Sequence, residues 1–267
     1  MSNVILPGGL PSRRVTGATL VSALEQFFGH RPMGGDPYLD AKKALRAGPA
    51  EMLRVYEKVR GQVGSGQRVL DWGCRYGVWS HLLRSDIGES LQLDGCDVCA
   101  PQEYADFHAL SAMRYQQIRH PWTLEYADQS FDAVFAGGTL EHVPNDGASL
   151  TELWRVIKTD GRLLITHLPN RYSWSECLSR RWFPAQAHQR RYHLKSMRER
   201  LLQHGFEPLR WGYHQIAPAS LPERWRQSPR LARLIDALQG FNRFERIAPF
   251  NRLSATLWFV ARRRDGF

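Results

Sequence analysis

Residues 69–77 read Val-Leu-Asp-Trp-Gly-Cys-Arg-Tyr-Gly, an apolar run that leads directly into a loop with two glycines. A glycine turn between a strand and the following helix lets the backbone approach a ligand closely, with helix amide groups pointing at it. We therefore predict a strand over 68–73, a ligand-binding loop, and a helix over 76–84. The phosphate-cradling spacing Gly-x-Gly-x-x-Gly is absent, which argues against a dinucleotide as the ligand.

The chain beyond this loop alternates short apolar runs with amphipathic segments. Further strands are predicted over 91–97, 113–118, 131–136, 162–168, 206–215 and 255–262, and helices from 101, over 149–158 and over 193–204. Such alternation is typical of a parallel sheet with helices on both faces. The predicted fold is a doubly wound, Rossmann-like α/β domain.

Two helices are predicted ahead of the first strand. The first covers 19–28 and the second begins at Pro49, with a loop over 31–37 between them. Residues 1–66 are therefore a predicted N-terminal helical preface, and 67–267 the main domain.

The C-terminal third holds two segments that the strand–helix alternation does not explain, at about 170–192 and 218–250. Pro229 divides 222–240 into two predicted short helices, of which the second is amphipathic. We predict that these segments form a lid over the carboxyl edge of the sheet. The tryptophans that such a lid would supply are Trp174, Trp182 and Trp225.

The basic residues are concentrated in the same third of the chain. The formal net charge is +10, and the residues from Arg180 to the end carry 18 lysines and arginines against 6 acidic residues. A charge surplus bears on partners rather than on fold. Two interpretations stay open, a solvated arginine-rich face and a specific anionic partner.

The composition favours a globular protein. Hydrophobic residues make up 43% of the chain, but no apolar run approaches the ~18 residues that a membrane-spanning helix needs. Four cysteines in 267 residues do not form a disulfide framework, and Cys96 and Cys99 have the spacing of only half a zinc site. We expect a cytoplasmic protein without a bound metal, with peripheral contact at the inner face of the membrane as an alternative.

An acidic residue ends the second predicted strand, in the stretch Leu93-Asp94-Gly95-Cys96-Asp97. Some twenty residues after the glycine loop, a carboxylate at this position can accept both hydroxyl groups of a ribose. The loop and Asp97 together predict a ribose-containing ligand. By themselves they fit a nicotinamide dinucleotide as well as S-adenosylmethionine.

Three further motifs point to a family. Residues 130–135 read Ser-Phe-Asp-Ala-Val-Phe, 139–144 read Thr-Leu-Glu-His-Val-Pro, and 152–161 read Glu-Leu-Trp-Arg-Val-Ile-Lys-Thr-Asp-Gly. With the glycine loop, they resemble the patterns V-L-D-x-G-C-G-x-G, S-F-D-x-V, x-L-E-H-V and E-x-x-R-V-L-K-P-G-G of the class I S-adenosylmethionine-dependent methyltransferases. The resemblance is strongest to the branch of ubiquinone- and sugar-modifying small-molecule enzymes, and it covers about residues 66–215.

The resemblance implies S-adenosylmethionine as the cofactor and a seven-stranded, mostly parallel sheet whose last strand is antiparallel. The residues that it implies as cofactor contacts are Asp71, Gly73, Cys74, Arg75, Gly77, Asp97, Val98, Gly137 and Leu140. Arg75 and Asp160 depart from the family by standing where it has glycine. A Cβ at position 75 restricts the loop if φ is positive there. Alternatively, its guanidinium group could pair with the carboxylate of the cofactor.

Methyl transfer is an in-line displacement that needs an aligned nucleophile and, for some acceptors, a base. His142 follows the fourth strand and His167 ends the fifth, both at the carboxyl edge where such sheets bind ligands. Both are candidate catalytic bases, and a packing role for His142 stays open. Arg190, Arg191 and Tyr192 are predicted substrate residues, since guanidinium groups bind phosphate or carboxylate bidentately.

The preferred function is O-methylation of an anionic small molecule or lipid-linked glycan. The fourth strand is not followed by Asn/Asp-Pro-Pro-aromatic, and no Pro-Cys dipeptide occurs, so the common signatures of base-modifying methyltransferases are missing. An RNA methyltransferase stays as an alternative because phosphate contacts need only lysine and arginine. A non-catalytic protein that binds S-adenosylmethionine is the alternative from another class.

Overall fold

A seven-stranded sheet forms the centre of the molecule. The computed structural model describes residues 14–182, 184, 187–219 and 228–266. Its strands are β1 (Arg68–Trp72), β2 (Gln92–Asp97), β3 (Arg114–Gln117), β4 (Phe131–Gly137), β5 (Ile157–Pro169), β6 (Phe206–His214) and β7 (Thr256–Arg263). They are ordered β3-β2-β1-β4-β5-β7-β6, with β1 to β5 paired in parallel and β7 antiparallel to both neighbours. The predicted doubly wound sheet with an antiparallel last strand is confirmed.

Helices cover both faces of this sheet. In the described residues they are α1 (Gly17–Gly29), α2 (Pro37–Lys43), α3 (Ala47–Val59), α4 (Val78–Ile87), α5 (Ala105–Ala109), α6 (Asp146–Val156), α7 (Trp174–Trp182), α8 (Leu194–Gln203) and α9 (Pro229–Leu238). Each face buries its own apolar core because neighbouring residues of a strand point to opposite sides. Val69 shares a buried cluster with residues of α1, α3 and α4, whereas Leu70 shares another with residues of α6 and α8. The N-terminal helices therefore pack directly on the sheet.

Helix α2 was not predicted, and side-chain capping explains its position. The Asp36 carboxylate accepts the N–H groups of Tyr38 and Leu39 at 2.8 and 3.1 Å, and Pro37 occupies the first turn. An aspartate cap followed by proline is a strong start signal. The predicted loop over 31–37 thus runs one residue into a helix that is too short to show an apolar period.

Several other helices differ from the prediction at their ends: α3 begins at Ala47 rather than Pro49, and α4 covers Val78–Ile87 rather than 76–84. Helix α6 begins at Asp146 rather than 149, because the Asn145 side chain accepts the Ala148 N–H at 3.0 Å. It ends at Val156, and β5 follows directly. The helix predicted from Pro101 is a 3-10 turn followed by the short α5.

The C-terminal helix α9 corresponds to the second of the two short helices predicted over 222–240. Residues 222–227 of the first, with Trp225, lie outside the described residues. On α9, Ile235 is buried against Leu45 and Ala47, whereas Leu234 is exposed. In the described part of the chain no helix has the length and apolar character to cross a membrane.

Candidate active site

A cavity of about 1410 Å³ opens at the carboxyl ends of β1, β2, β4 and β5, the edge at which such sheets bind ligands. One side, the strand wall, consists of these strand ends and their loops. The opposite side, the helix wall, comes from α2, α3, α7 and α9. The large apolar side chains of the helix wall are Tyr38, Trp174, Leu178, Trp182, Ile235 and Leu238.

The glycine loop, residues 73–77, forms part of the strand wall between β1 and α4. It turns through three positive φ angles, at Gly73 (+70°), Arg75 (+44°) and Gly77 (+80°), a region that favours glycine. A Cβ on Gly73 would lie 2.2 Å from the methyl carbon of Thr139. Only glycine fits at this contact, so Gly73 lets the loop pack closely against Thr139 at the edge of the cavity.

Asp97 lines the cavity at the end of β2 and also holds the glycine loop. Its Oδ2 accepts the Arg75 N–H at 2.8 Å, and its Oδ1 accepts the Val98 N–H at 2.6 Å. Each carboxylate oxygen has a second lone pair. The carboxylate can therefore bind two ribose hydroxyl groups while it keeps the loop in place.

Arg75 adopts a left-handed conformation, as the glycine that it replaces would do without strain. The conformation costs a residue with a Cβ about 1–2 kcal/mol. Its Nη2 lies 3.2 Å from Asp36 Oδ2, so the side chain ties the glycine loop to the start of α2. Burial alone would raise the pKa of Asp36. Hydrogen bonds from Tyr76 and from the α2 amides, together with the charge of Arg75, lower this pKa overall. A contact between Arg75 and the cofactor stays a prediction.

The predicted cofactor contacts divide into two groups. Those that line the cavity are Gly73, Cys74, Arg75, Asp97, Val98 and Gly137. Asp71, Gly77 and Leu140 do not line it. Asp71 is buried behind the loop, where it accepts hydrogen bonds from the N–H and Oγ of Ser80 at 3.1 and 2.9 Å, and burial raises the pKa of its carboxyl to about 7. Leu140 belongs to the apolar core.

His167 reaches the cavity from an irregular part of β5. Its φ is +58°, and the pairing with β7 shifts register between Ile165 and Leu168. The His167 Nε2 lies 2.9 Å from Glu51 Oε1. Since an ionised carboxylate only accepts hydrogen bonds, Nε2 carries the proton, and Nδ1, which keeps a lone pair, lies 3.4 Å from the Thr166 hydroxyl oxygen. Burial lowers the pKa of His167 against the opposing effect of Glu51, so the imidazole is neutral at pH 7 and competent as a base.

Glu51, on α3, joins His167 to a second buried imidazole. Its Oε1 also accepts the His214 Nε2–H at 2.9 Å, and its Oε2 lies 3.2 Å from Lys42 Nζ. Burial opposes ionisation of Glu51, but the charges of His167 and Lys42 hold the pKa of this carboxyl well below its usual value. His214 is in turn 3.4 Å from Glu245. A buried network of charged groups thus stands behind His167.

Sequence reasoning missed Glu51, although the sequence carries a signal. Glu51 stands four residues before Val55 and eight before Val59, on the face of α3 that points into the core. A carboxylate on an apolar helix face requires a buried partner. The sequence does not show which partner that is.

His142 lines the same cavity from the loop after β4. Its side chain is 66% exposed, and its Nε2 lies 3.8 Å from Glu141 Oε1. Burial of the ring and the charges of His188 and Arg75 lower the pKa of His142. Of the two predicted bases, His167 is the one held by a direct hydrogen bond to a buried carboxylate.

The predicted substrate residues Arg190, Arg191 and Tyr192 lie outside the lining of the cavity. Arg190 donates to the carbonyl oxygens of Val143 and Pro144, the second at 3.0 Å. The Tyr192 hydroxyl donates to Asp146 Oδ2 at 3.0 Å and lies 3.1 Å from the Leu140 carbonyl oxygen. Among the described residues, the Arg191 side chain makes one hydrogen bond, 3.5 Å to the Arg171 carbonyl oxygen. These contacts fix the loop that carries His142, and a role in substrate binding stays a prediction.

The strand order, the glycine loop and the carboxylate at the end of β2 define a Rossmann-like domain that binds a nucleoside at its carboxyl edge. Residues 42–210 match the family described as methyltransferase domain. This stretch is more than half of the chain, and the chain belongs to that family, the class I S-adenosylmethionine-dependent methyltransferases.

Individual relatives are more distant. A demethylmenaquinone methyltransferase of Alkalihalophilus pseudofirmus is 30% identical over 112 residues, which cover 39% of this chain and 46% of that protein. The chain spans about half the length of the curated relatives that it matches.

Two solved structures are similar in fold. The [4+2]-cyclase SpnF has a TM-score of 0.56 at 20% identity, over 93% of each chain. A geranyl diphosphate methyltransferase in complex with GPP and sinefungin has a TM-score of 0.56 at 16% identity, over 86% of this chain and 84% of that one. At these identities the likeness concerns the fold alone.

The residues of the strand wall fit the family's cofactor, S-adenosylmethionine. Gly73 and Asp97 both line the cavity, and the Asp97 carboxylate matches the two hydroxyl groups of the ribose. The match to the methyltransferase family over residues 42–210 confirms the prediction of S-adenosylmethionine as cofactor.

Proposed function

We propose that this protein transfers the methyl group of S-adenosylmethionine to a hydroxyl oxygen of an apolar, ring-bearing small molecule, with His167 as the base. The observation that carries the proposal is the His167–Glu51 hydrogen bond of 2.9 Å at the junction of the strand wall and the helix wall. A neutral imidazole with a fixed proton on one nitrogen presents its other nitrogen to a hydroxyl group.

The cofactor side of the proposal rests on the strand wall. Asp97 would hold the ribose, and the glycine loop would accommodate the amino acid end against its backbone. Bound S-adenosylmethionine supplies a methyl group on a positively charged sulfur. The protein then has to place the acceptor oxygen in line with that bond and to exclude water.

The acceptor side rests on the helix wall. Indole and aliphatic side chains there, among them Trp174, Leu178 and Trp182, favour a flat or apolar body. The demethylmenaquinone methyltransferases and the geranyl diphosphate methyltransferase are named for acceptors with a large apolar part. Because Arg190 and Arg191 lie outside the cavity lining, the anionic glycan expected from the basic tail receives less support than such an acceptor.

The acceptor stays neutral in the proposed step, because it loses the hydroxyl proton as it gains the methyl group. His167 Nδ1 takes the hydroxyl proton as the oxygen–carbon bond forms and the carbon–sulfur bond breaks. The imidazolium that results is stabilised by Glu51, whose carboxylate is 1% exposed and already accepts the Nε2 proton. Glu51 is therefore a positioning residue, and His167 the catalytic residue.

The proposal is tested by measuring transfer of labelled methyl from S-adenosylmethionine to a panel of acceptors, with release of S-adenosylhomocysteine followed in parallel. Hydroquinones and phenols with apolar substituents should accept the label, and sugar phosphates should not. His167→Ala should then lower kcat by about 10²–10⁴-fold with little change in the dissociation constant of S-adenosylmethionine.

The matched control is His204→Ala, because His204 ends α8 beside Thr151, outside the cavity lining. It should keep the wild-type kcat. A loss below tenfold in His167→Ala would exclude the base role. Cofactor binding without release of S-adenosylhomocysteine, for every acceptor of the panel, would favour the non-catalytic alternative.

A further inference from the structure

Three side chains that the base mechanism does not use meet at one point of the cavity lining. They are Glu141 and His142, in the loop after β4, and His188, after α7. One ligand atom of each lies within 4.8 Å of the others. The imidazole centres of His142 and His188 are 5.8 Å apart. Two imidazoles and one carboxylate can share a single ion once small side-chain rotations bring these atoms to about 2.0–2.2 Å from it.

The side chain of Glu141 ends in a buried carboxyl group that is only partly hydrogen-bonded. The residue is 8% exposed, and its Oε2 is buried without a hydrogen-bond partner among the described residues. Its other oxygen lies 3.8 Å from His142 Nε2. A buried carboxylate that is paired neither with a donor nor with a cation is costly, and a metal ion at this point would remove that cost.

His188 is already oriented as a metal ligand would be. Its Nδ1 donates to Glu176 Oε1 at 2.7 Å, and its backbone N–H donates to Glu176 Oε2 at 3.3 Å. In the neutral imidazole this bond places the proton on Nδ1 and leaves the lone pair on Nε2, where a metal ion would replace the second proton of the charged form. Metal-binding histidines usually donate their other nitrogen to a carboxylate in this way.

We propose that Glu141, His142 and His188 bind a first-row divalent cation of the zinc type, with Glu176 orienting His188. A set of two imidazoles and one carboxylate suits zinc, cobalt or iron rather than magnesium or calcium, which prefer oxygen ligands alone. Three protein ligands leave at least one coordination position open. The sequence predicts no metal, because its cysteine spacing gives only half of a zinc site.

The open position has a consequence for the acceptor. A Cβ placed on Gly138 would lie 3.7 Å from His167 Cβ and 3.8 Å from Glu141 Oε1, so the ion site and the base flank the same point of the β4 loop. An anionic oxygen of the acceptor could occupy the open position while a neighbouring hydroxyl faces His167. This last step rests on the proposed function, whereas the metal site itself does not.

The test is metal binding to the tag-free full chain, without S-adenosylmethionine and without an acceptor. Calorimetry with Zn²⁺ and Co²⁺ should give one equivalent bound. His188→Ala and His142→Ala should each weaken binding by at least tenfold, and Glu176→Gln by about 10–100-fold. His193→Ala is the control, because this histidine lies against Tyr172 outside the cluster, and its affinity should equal that of the wild type.

Three outcomes would overturn the metal site: no binding of either ion, an affinity unchanged in both His188→Ala and His142→Ala, or tighter binding of Mg²⁺ than of Zn²⁺. His142 is largely exposed, so its variant is expected to fold, which circular dichroism can check. A metal that binds as described to a protein that transfers no methyl group would refute the proposed function and leave this site standing.

Discussion

Replacing Glu51 by glutamine tests the buried network that supports the active site. The carboxylate accepts from two imidazoles at 2.9 Å each and faces Lys42 at 3.2 Å. Glutamine is neutral, and its amide N–H₂ would point at one of these donors. Removing one partner of a buried ion pair costs about 3–5 kcal/mol, so the free energy of unfolding at pH 7 should fall by that amount.

The pH dependence of this loss gives a sharper criterion. Burial opposes ionisation, but His167 and Lys42 hold the pKa of Glu51 well below its ordinary value of 4.5. The carboxylate therefore contributes stability that is fully present above about pH 4.5 and is lost as the pH falls through the folded-state pKa. The difference between wild type and Glu51→Gln should be largest at neutral pH and should shrink in acid.

Urea denaturation at a series of pH values measures this difference. Glu57→Gln is the matched control, since Glu57 lies on the exposed side of the same helix and should change stability by no more than about 0.5 kcal/mol. A loss below about 1 kcal/mol for Glu51→Gln at pH 7, a value within reach of an ordinary hydrogen bond, would refute the reasoning. So would a difference that grows as the pH falls.

Three further predictions follow from single contacts. Asp97→Ala should weaken S-adenosylmethionine by about 1.5–3 kcal/mol, the scale of hydrogen bonds to a charged group; calorimetry that finds the same affinity as the wild type would remove Asp97 from the site. Asp160 has a φ of +60°, so Asp160→Ala should be about 1 kcal/mol less stable than Asp160→Gly in thermal denaturation, and equal stabilities would contradict a strained turn. Arg190→Ala should lower the free energy of unfolding by about 1–2 kcal/mol, because its carbonyl partners lose a charged donor. Arg191→Ala should leave the free energy of unfolding unchanged. The reverse order of stabilities, or a raised Michaelis constant for the acceptor at full stability, would restore the substrate role.

The parts of the site that are local in sequence were the parts that the sequence could predict. The glycine loop and Asp97 lie at the ends of two adjacent strands, so strand–helix alternation and residue type together place them at one edge. Even at Arg75, where the family has glycine, the backbone adopts the left-handed conformation that favours glycine, with a φ of +44°. Position in the fold determined conformation there more strongly than residue type.

The parts that depend on distant contacts could not be predicted. Glu51 and His167 are 116 residues apart, and no periodicity in either segment indicates that a side chain of α3 reaches β5. Arg190 illustrates the opposite case, since an arginine pair after the fifth strand has the composition of an anion site. In the structure its guanidinium group is held by backbone carbonyls of the neighbouring loop, a use that leaves no trace in composition.

The two walls of the cavity come from different parts of the chain, and this separation bears on engineering. The strand wall is built from loops that also define the sheet edge, so a change there disturbs cofactor and scaffold together. The helix wall is supplied by side chains such as Tyr38, Leu178 and Trp182, which are 39%, 54% and 64% exposed. Because Tyr38 also stacks on Tyr76 of the glycine loop, randomising Leu178 and Trp182 offers a compact library in which acceptor preference can change while the loop that binds the methyl donor is left as it is.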